Sequence, residues 1–219
     1  MNKYLLFCAV IACAPAMTAC SEWLEPEGEI VNRGVEISGS IDRIETGDGI
    51  TLVLTDDVPA GEAVIITHGN VQPYIKAETN ADKVTFTVNA KRFKNLDVTI
   101  EVSLSQYRDF TASGGARIYT KGQLSLPEAA FNVSGGSQAT FSGECASARV
   151  ECSGGSVFHG YGLTVTNAEV VNTGGSRLEI TVTRSLTGEN SGGSNISYKG
   201  TPSILNVNNT GGSTTTKDE

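Results

Sequence analysis

Glu151 and Glu189 each stand three residues ahead of a Gly-Gly pair, two repeats of the chain apart. Paired carboxylates across a cleft hydrolyse glycosidic bonds, and retaining enzymes hold them about 5 Å apart. Strands stacked two apart would separate this pair by roughly 9–10 Å, which suits an inverting pair and equally two solvated edge residues. The surrounding region is poor in further acids, with Glu128, Glu144, Glu169 and Glu179 before the C-terminal tail. His68 and His159, the two histidines, have no Asp, Glu or Cys nearby at metal-ligand spacing, so they make no metal site. Gly47-Asp48-Gly49 lacks the Lys-Ser/Thr of a phosphate loop and reads as a strand-joining turn. Cys145 and Cys152 lie seven residues apart; an oxidising compartment would allow them to pair, and two small buried residues are the other reading. These residues yield no catalytic group, metal ligand or cofactor site, and the chain reads as a non-enzyme.

The one residue with a definite chemical expectation is Cys20. Lys3 supplies a positive start, Tyr4 to Cys13 an apolar run, and Pro15 a break before small residues. That run is too short to span a bilayer as a helix and reads as a leader. Met17-Thr18-Ala19-Cys20 resembles a bacterial lipobox, whose cysteine is diacylated and becomes the new N-terminus. An ordinary secretory leader ending near a cysteine is the alternative. Residues 20–33 are acidic and broken by Pro26, which predicts a flexible tether. Ser21 after the cysteine resembles sorting to an outer membrane, and the acids behind it resemble a surface-export signal of Bacteroides-type lipoproteins. The expected location is therefore an outer-membrane lipoprotein exposed at the cell surface, with a periplasm-facing one as the alternative. The formal net charge is −8, and no basic run exceeds Lys91-Arg92-Phe93-Lys94, so a nucleic-acid partner has no electrostatic footprint.

What must position any functional side chain is a repeat. Ser113-Gly114-Gly115-Ala116, Ser134-Gly135-Gly136-Ser137, Ser153-Gly154-Gly155-Ser156, Thr173-Gly174-Gly175-Ser176, Ser191-Gly192-Gly193-Ser194 and Thr210-Gly211-Gly212-Ser213 recur every 18 to 21 residues. A near-constant period of this size predicts a solenoid whose coils bury their apolar faces only by stacking. Four residues before the first glycine stand Phe131, Val150, Val170 and Val207, with Gly188 as the exception. Four residues after it stand Ile118, Ala139, Phe158, Leu178 and Ile196, with Thr215 last. Both columns are expected to face inward. A further glycine follows eight residues after the first, at Gly122, Gly143, Gly162 and Gly200, with Val182 in its place in the fourth coil, and is expected to turn a second corner. The Ser and Thr hydroxyls beside the pairs can bond corner amides. Calcium-binding Gly-Gly repeats need an Asp close behind; here Ser137, Ser156, Ser176, Ser194 and Ser213 follow, so calcium is not required.

Residues 34–112 alternate apolar and polar positions between turn signals and read as strands over 41–46, 50–55, 63–68, 74–78, 84–89 and 98–104. The chain thus divides into a leader (1–19), a tether (20–33), an N-terminal β region capping the first coil (34–112) and a Gly-Gly repeat solenoid (113–219).

Alternating strands from Val35 followed by Ser-Gly-Gly-Ser repeats resemble the auto-transporter adhesin family with a head GIN domain, a bacterial domain of unknown function. The resemblance covers about Val35 to Ser213 and implies an all-β, right-handed parallel β-solenoid. It brings no catalytic residues. The expected role is binding or adhesion by a lipid-anchored envelope protein, toward an envelope partner or a surface glycan. The alternatives are a polysaccharide-binding or polysaccharide-cleaving β-helix and an envelope assembly or signalling component. The sixth mark is followed by only six residues, too few for a coil, so the C-terminal coil is where a partner or a second copy would dock in weak association. The other reading is that Thr214-Thr215-Thr216 and the charged Lys217-Asp218-Glu219 tail protect this end by themselves.

Overall fold

The computed structural model describes residues 23–219. Cys20, the leader and the start of the expected tether lie outside the described residues. The strands are β1 (Ile30–Glu36), β2 (Arg43–Thr46), β3 (Thr51–Thr55), β4 (Glu62–His68), β5 (Ile75–Asn80), β6 (Lys83–Val88), β7 (Val98–Ser103) and β8 (Asp109–Ala112). They continue with β9 (Arg117–Thr120), β10 (Leu124–Val133), β11 (Gln138–Cys152), β12 (Val157–Asn172), β13 (Arg177–Asn190), β14 (Asn195–Lys199), β15 (Ile204–Asn209) and β16 (Thr214–Lys217). All belong to one 16-stranded sheet. Among the described residues, a single 3-10 turn at Gln72–Tyr74 accompanies them.

From β8 onward every pairing is parallel, and each strand meets the one about twenty residues later, which makes the protein an all-β solenoid. One coil runs from a Gly-Gly corner along a strand, bends, and returns to the next corner. β11 shows this within one strand: its first part pairs with β9 and its remainder with β10. The registers place the two expected apolar columns inside. Ile44, Phe110, Phe131, Val150 and Val170 stack on one wall. Leu52, Ile118, Ala139, Phe158, Leu178 and Ile196 stack on another. All are at most 2% exposed, so the columns form one continuous core. Phe110 stacks on Phe131 at 5.4 Å between centroids, and Phe141 reaches Phe131 at 4.5 Å. Such aromatic pairs contribute about 0.5–1.5 kcal/mol beyond their buried area. Gly188 breaks the valine column because its backbone, at φ +140°, presses against Val170, and a Cβ there would collide with the Val170 carbonyl oxygen.

The interior is not wholly apolar. The column Ala112, Val133, Cys152 continues as Asn172, Asn190 and Asn209. Asn172 donates from Nδ2 to Asn190 Oδ1 at 3.0 Å, and Asn190 to Asn209 Oδ1 at 2.8 Å. Both amides also donate to backbone carbonyls across the corner, on Asn195 and Thr214. These donated bonds replace water at the buried Nδ2 groups, while the Asn172 Oδ1 accepts no hydrogen bond.

The N-terminal region departs from the expected plan. β2 and β3 pair in parallel with β8 and β9, so they form a coil of the solenoid. β6 and β7 stack in parallel on the other side of β2 and β3. The boundary expected at residue 113 therefore falls inside a continuous stack. Capping comes from antiparallel strands: β4 on β7, β1 on β4, and β5 on β6. The expected tether is also docked from Trp23 onward. Leu24 exchanges backbone bonds with Arg92 and Lys94, Glu25 pairs with Lys94 at 3.2 Å, and residues 30–33 are strand. An acidic composition hid this docking, which is made by backbone groups, the Asn70 side chain, the packing of Leu24 on the core and the Glu25–Lys94 pair. At the other end β15 and β16 each pair on one side only, and Ile204 and Leu205 are about half exposed.

Candidate ligand-binding groove

Two edges of the rod differ in chemistry. The first is the stack of corners. In Ser153-Gly154-Gly155-Ser156, Gly154 and Gly155 take φ values of +62° and +73°. Two successive positive φ angles make the tight turn that reverses the chain, and only glycine adopts both without strain. Gly155 N donates to Gly174 O at 3.0 Å in the next coil, and the same bond repeats from Gly49 to Gly211. A Cβ on Gly154 would sit 3.2 Å from Gly135 N, a tight contact that adds to the torsional preference for glycine there. Behind the corners lies a column of serines. Ser156 Oγ donates to Val133 O at 2.8 Å, and Ser194 Oγ accepts from the amides of Gly175 and Ser176. The expected bonding of corner amides by hydroxyls is thus present.

Asp48 and Gly49 occupy the place of a glycine pair, with Asp48 at φ +54° and its Oδ2 accepting from Val88 N at 3.0 Å. Gly47-Asp48-Gly49 joins strands as expected, and it is also the first corner of the stack. The second glycine column is a correction. Gly143 and Gly200 have positive φ, whereas Gly122 and Gly162 do not. Gly143 pairs with Leu124 and Leu163, while Gly162 pairs with Ser142, so the eight-residue offset joins two different columns. Coils of unequal length shift the bend by a residue.

The second edge is a groove of about 410 Å³ on the outer sheet face. It crosses β2, β8, β10, β11, β12 and β13 in turn along the solenoid axis, with Asp82 from the turn ahead of β6 at its first end. Its walls are charged and bridged from rung to rung. Arg43 Nε lies 3.5 Å from both Asp82 and Asp109, which belong to the rungs on either side. Arg108 pairs with Asp42 on one side and reaches Glu128 at 3.7 Å on the other. Arg149 holds Glu151 at 2.7 Å and Glu169 of the next rung at 2.5 Å. The floor includes Ala129, Ala148 and Ala168, a column whose next member is the larger Leu186. Asp109 is the most enclosed of the paired groove acids, and burial raises its pKa even though Arg43 works against that. Among the described residues, no group of three or more His, Cys, Asp and Glu could hold a metal ion.

Residues 41–202 match the family model described as "Putative auto-transporter adhesin, head GIN domain". The chain belongs to this family. Its fold is shared with a solved putative adhesin from Bacteroides fragilis, at 14% identity and a TM-score of 0.71 over 89% of this chain and 100% of that one. A putative adhesin from Parabacteroides merdae aligns over 90% of this chain and 99% of its own, at 16% identity and a TM-score of 0.52. A putative lipid binding protein from Parabacteroides distasonis aligns over 90% of this chain and 100% of its own, at 14% identity and a TM-score of 0.51. Among curated proteins none matches. The matched span begins at residue 41, where the stack of coils also begins, so the head GIN unit includes β2 and β3.

Within this head GIN fold, Glu151 and Glu189 face outward two rungs apart with Val171 between them, and Glu151 is engaged by Arg149. Neither lines the groove. His159 pairs with Glu179 of the next coil at 2.9 Å, and His68 Nδ1 lies 2.9 Å from Gly28 O. Cys145 and Cys152 are free and buried, and burial pushes the Cys152 thiol up to about 12. Sequence reasoning missed the groove. Its signal is the column five residues before each corner, where Arg43, Asp109, Ala130, Arg149, Glu169 and Thr187 stack in register.

Proposed function

We propose that this protein is a lipid-anchored envelope component that binds through its solenoid without catalysis. The observation that carries the binding role is a mixed-charge groove running along a stack of paired parallel strands. Family membership supports an adhesin-like place in the envelope. The anchor rests on Met17-Thr18-Ala19-Cys20, whose cysteine would carry the acyl chains. Two acyl chains give stable membrane attachment, where one gives marginal binding. Cells expressing the native chain should incorporate labelled fatty acid into it and retain it in the outer-membrane fraction. Cys20→Ser should abolish the label and release the protein. A Cys20→Ser chain that stays in the membrane, with no label on the native chain, would remove the anchor. Surface orientation follows if external protease cleaves the protein on intact cells.

A second reading, self-association through the C-terminal coil, is favoured by the exposed Ile204 and Leu205 on β15. A concentration-dependent mass by light scattering that Leu205→Lys abolishes supports it; a monomeric mass throughout excludes it.

A further inference from the structure

The groove has three properties that together select a ligand. Its direction comes first. It runs across the strands, so an occupant would lie along the rod axis and meet a new rung about every 4.8 Å. Six such steps give a path of roughly 29 Å. A threadlike ligand fits that path.

The second property is the source of its hydrogen bonds. The groove lies on a sheet face whose strands are paired on both sides, from β2 to β13. Their backbone amides and carbonyls bond neighbouring rungs, so a peptide cannot add as a further strand here. Only side chains are on offer. Arg43, Arg108 and Arg149 each bridge carboxylates and retain further N–H donors, because a guanidinium carries five. The carboxylates retain free lone pairs, and Ser147, Asn167 and Ser185 add small polar groups along the floor. Alternating donors and acceptors of this kind suit vicinal hydroxyl groups.

Charge is the third property. The lining holds five carboxylates against three guanidiniums. Every guanidinium is already paired, so a polyanion would meet unneutralised acids. Asp109, with its pKa raised by burial, is poised as a hydrogen-bonding group beside Arg43.

We infer that this groove binds one linear, uncharged polysaccharide chain laid along the solenoid axis. The inference rests on the binding role proposed above and names its ligand class. A β-linked polysaccharide advances at nearly the rung spacing per sugar, so each successive sugar can meet the side chains of a successive coil. The arginine–carboxylate bridges then serve two purposes. They fasten adjacent rungs, and they hold the donors and acceptors at fixed places before the ligand arrives, which lowers the ordering cost of binding.

The test uses the full mature protein solubilised in detergent, titrated calorimetrically with cellohexaose, with chitohexaose and with a galacturonic acid hexamer. One of the two neutral hexasaccharides should bind saturably, and about tenfold or more tighter than the charged one. Asn167→Trp, which fills the floor, should weaken that binding about tenfold or more at an unchanged melting temperature. Ser147→Trp, more exposed, is the second variant should Asn167→Trp not fold. Thr140→Trp, exposed outside the groove, should bind as the native protein does. Absence of saturable binding to both neutral hexasaccharides overturns the inference. So does undiminished binding by a folded groove variant, or equal affinity for the galacturonate. Whole cells separate this failure from failure of the binding role. Adhesion that survives the groove variants but requires the protein leaves the role standing and removes the groove as its site.

Discussion

The corner edge and the groove edge lie on the same rungs, yet one repeats and the other does not. From Gly135 onward each corner offers the same groups: two glycines at positive φ, a serine behind them, and an amide-to-carbonyl bond between neighbouring coils. The two earlier corners keep the backbone geometry with Asp48-Gly49 and with Ala116 behind Gly114-Gly115. At the groove each coil differs, reading Arg, Asp, Ala, Arg, Glu and Thr down a single column. Uniformity is what a stack needs, since every coil must present the same surface to the next. Variation is what recognition needs, since identical rungs would present no pattern. The comparison therefore separates residues that build the rod from residues free to serve a ligand.

The separation can be attacked first at the core that joins the two edges. Phe131→Ala should cost about 3–5 kcal/mol, the range for removing a buried aromatic. Phe131 contacts Phe110, Phe141 and Phe158, so the loss would be felt in several coils. Urea denaturation with an unchanged slope and a lower midpoint is the expected record. A midpoint within error of the native one would show that the rungs do not share a continuous core.

Next in size is the asparagine column behind the corners. Asn190→Ala should cost about 1–3 kcal/mol, because it takes from Asn172 the acceptor of its Nδ2 and from Asn209 the donor to its Oδ1. Asn208→Ala, exposed on the next coil, should change little by comparison. Equal losses from the two would mean that the column is not a coupled ladder.

The smallest effect is expected at the groove and has a pH signature. Burial raises the Asp109 pKa, so the group favours folding in acid and loses that contribution as pH rises through its folded pKa. Asp109→Asn should then melt slightly above the native protein at neutral pH. The gap should close below the ordinary carboxylate range. A variant less stable than the native protein at neutral pH would mark Asp109 as a structural ion-pair member and blur the two edges.

Much of this was legible in sequence, and the reasons are physical. A tight corner with two positive φ angles admits almost nothing but glycine, so the corners are written in one residue type at one period. The apolar columns followed because their offset from each corner is nearly fixed by strand length. The first corner was hidden because Asp48 tolerates a left-handed backbone and replaces a glycine. The coil of β2 and β3 was hidden with it, since the strands from β4 to β7 interrupt the period before β8 resumes it. The groove was illegible for a different reason. Its residues lie far apart in the chain, vary in type by their nature, and become a row only once the register is known.

The most direct test of the account is the melting temperature of Gly154→Val beside that of Asn167→Trp. Valine at the corner must adopt a strained φ and approach Gly135 N, at a cost of about 1–3 kcal/mol. For a domain of this size that is a fall of roughly 2–12 °C, whereas Asn167→Trp and the exposed Thr164→Val should leave the midpoint in place. A native-like midpoint for Gly154→Val, or a fall at Asn167 as large as that at Gly154, would contradict the division between an edge that builds the rod and an edge that is free to bind.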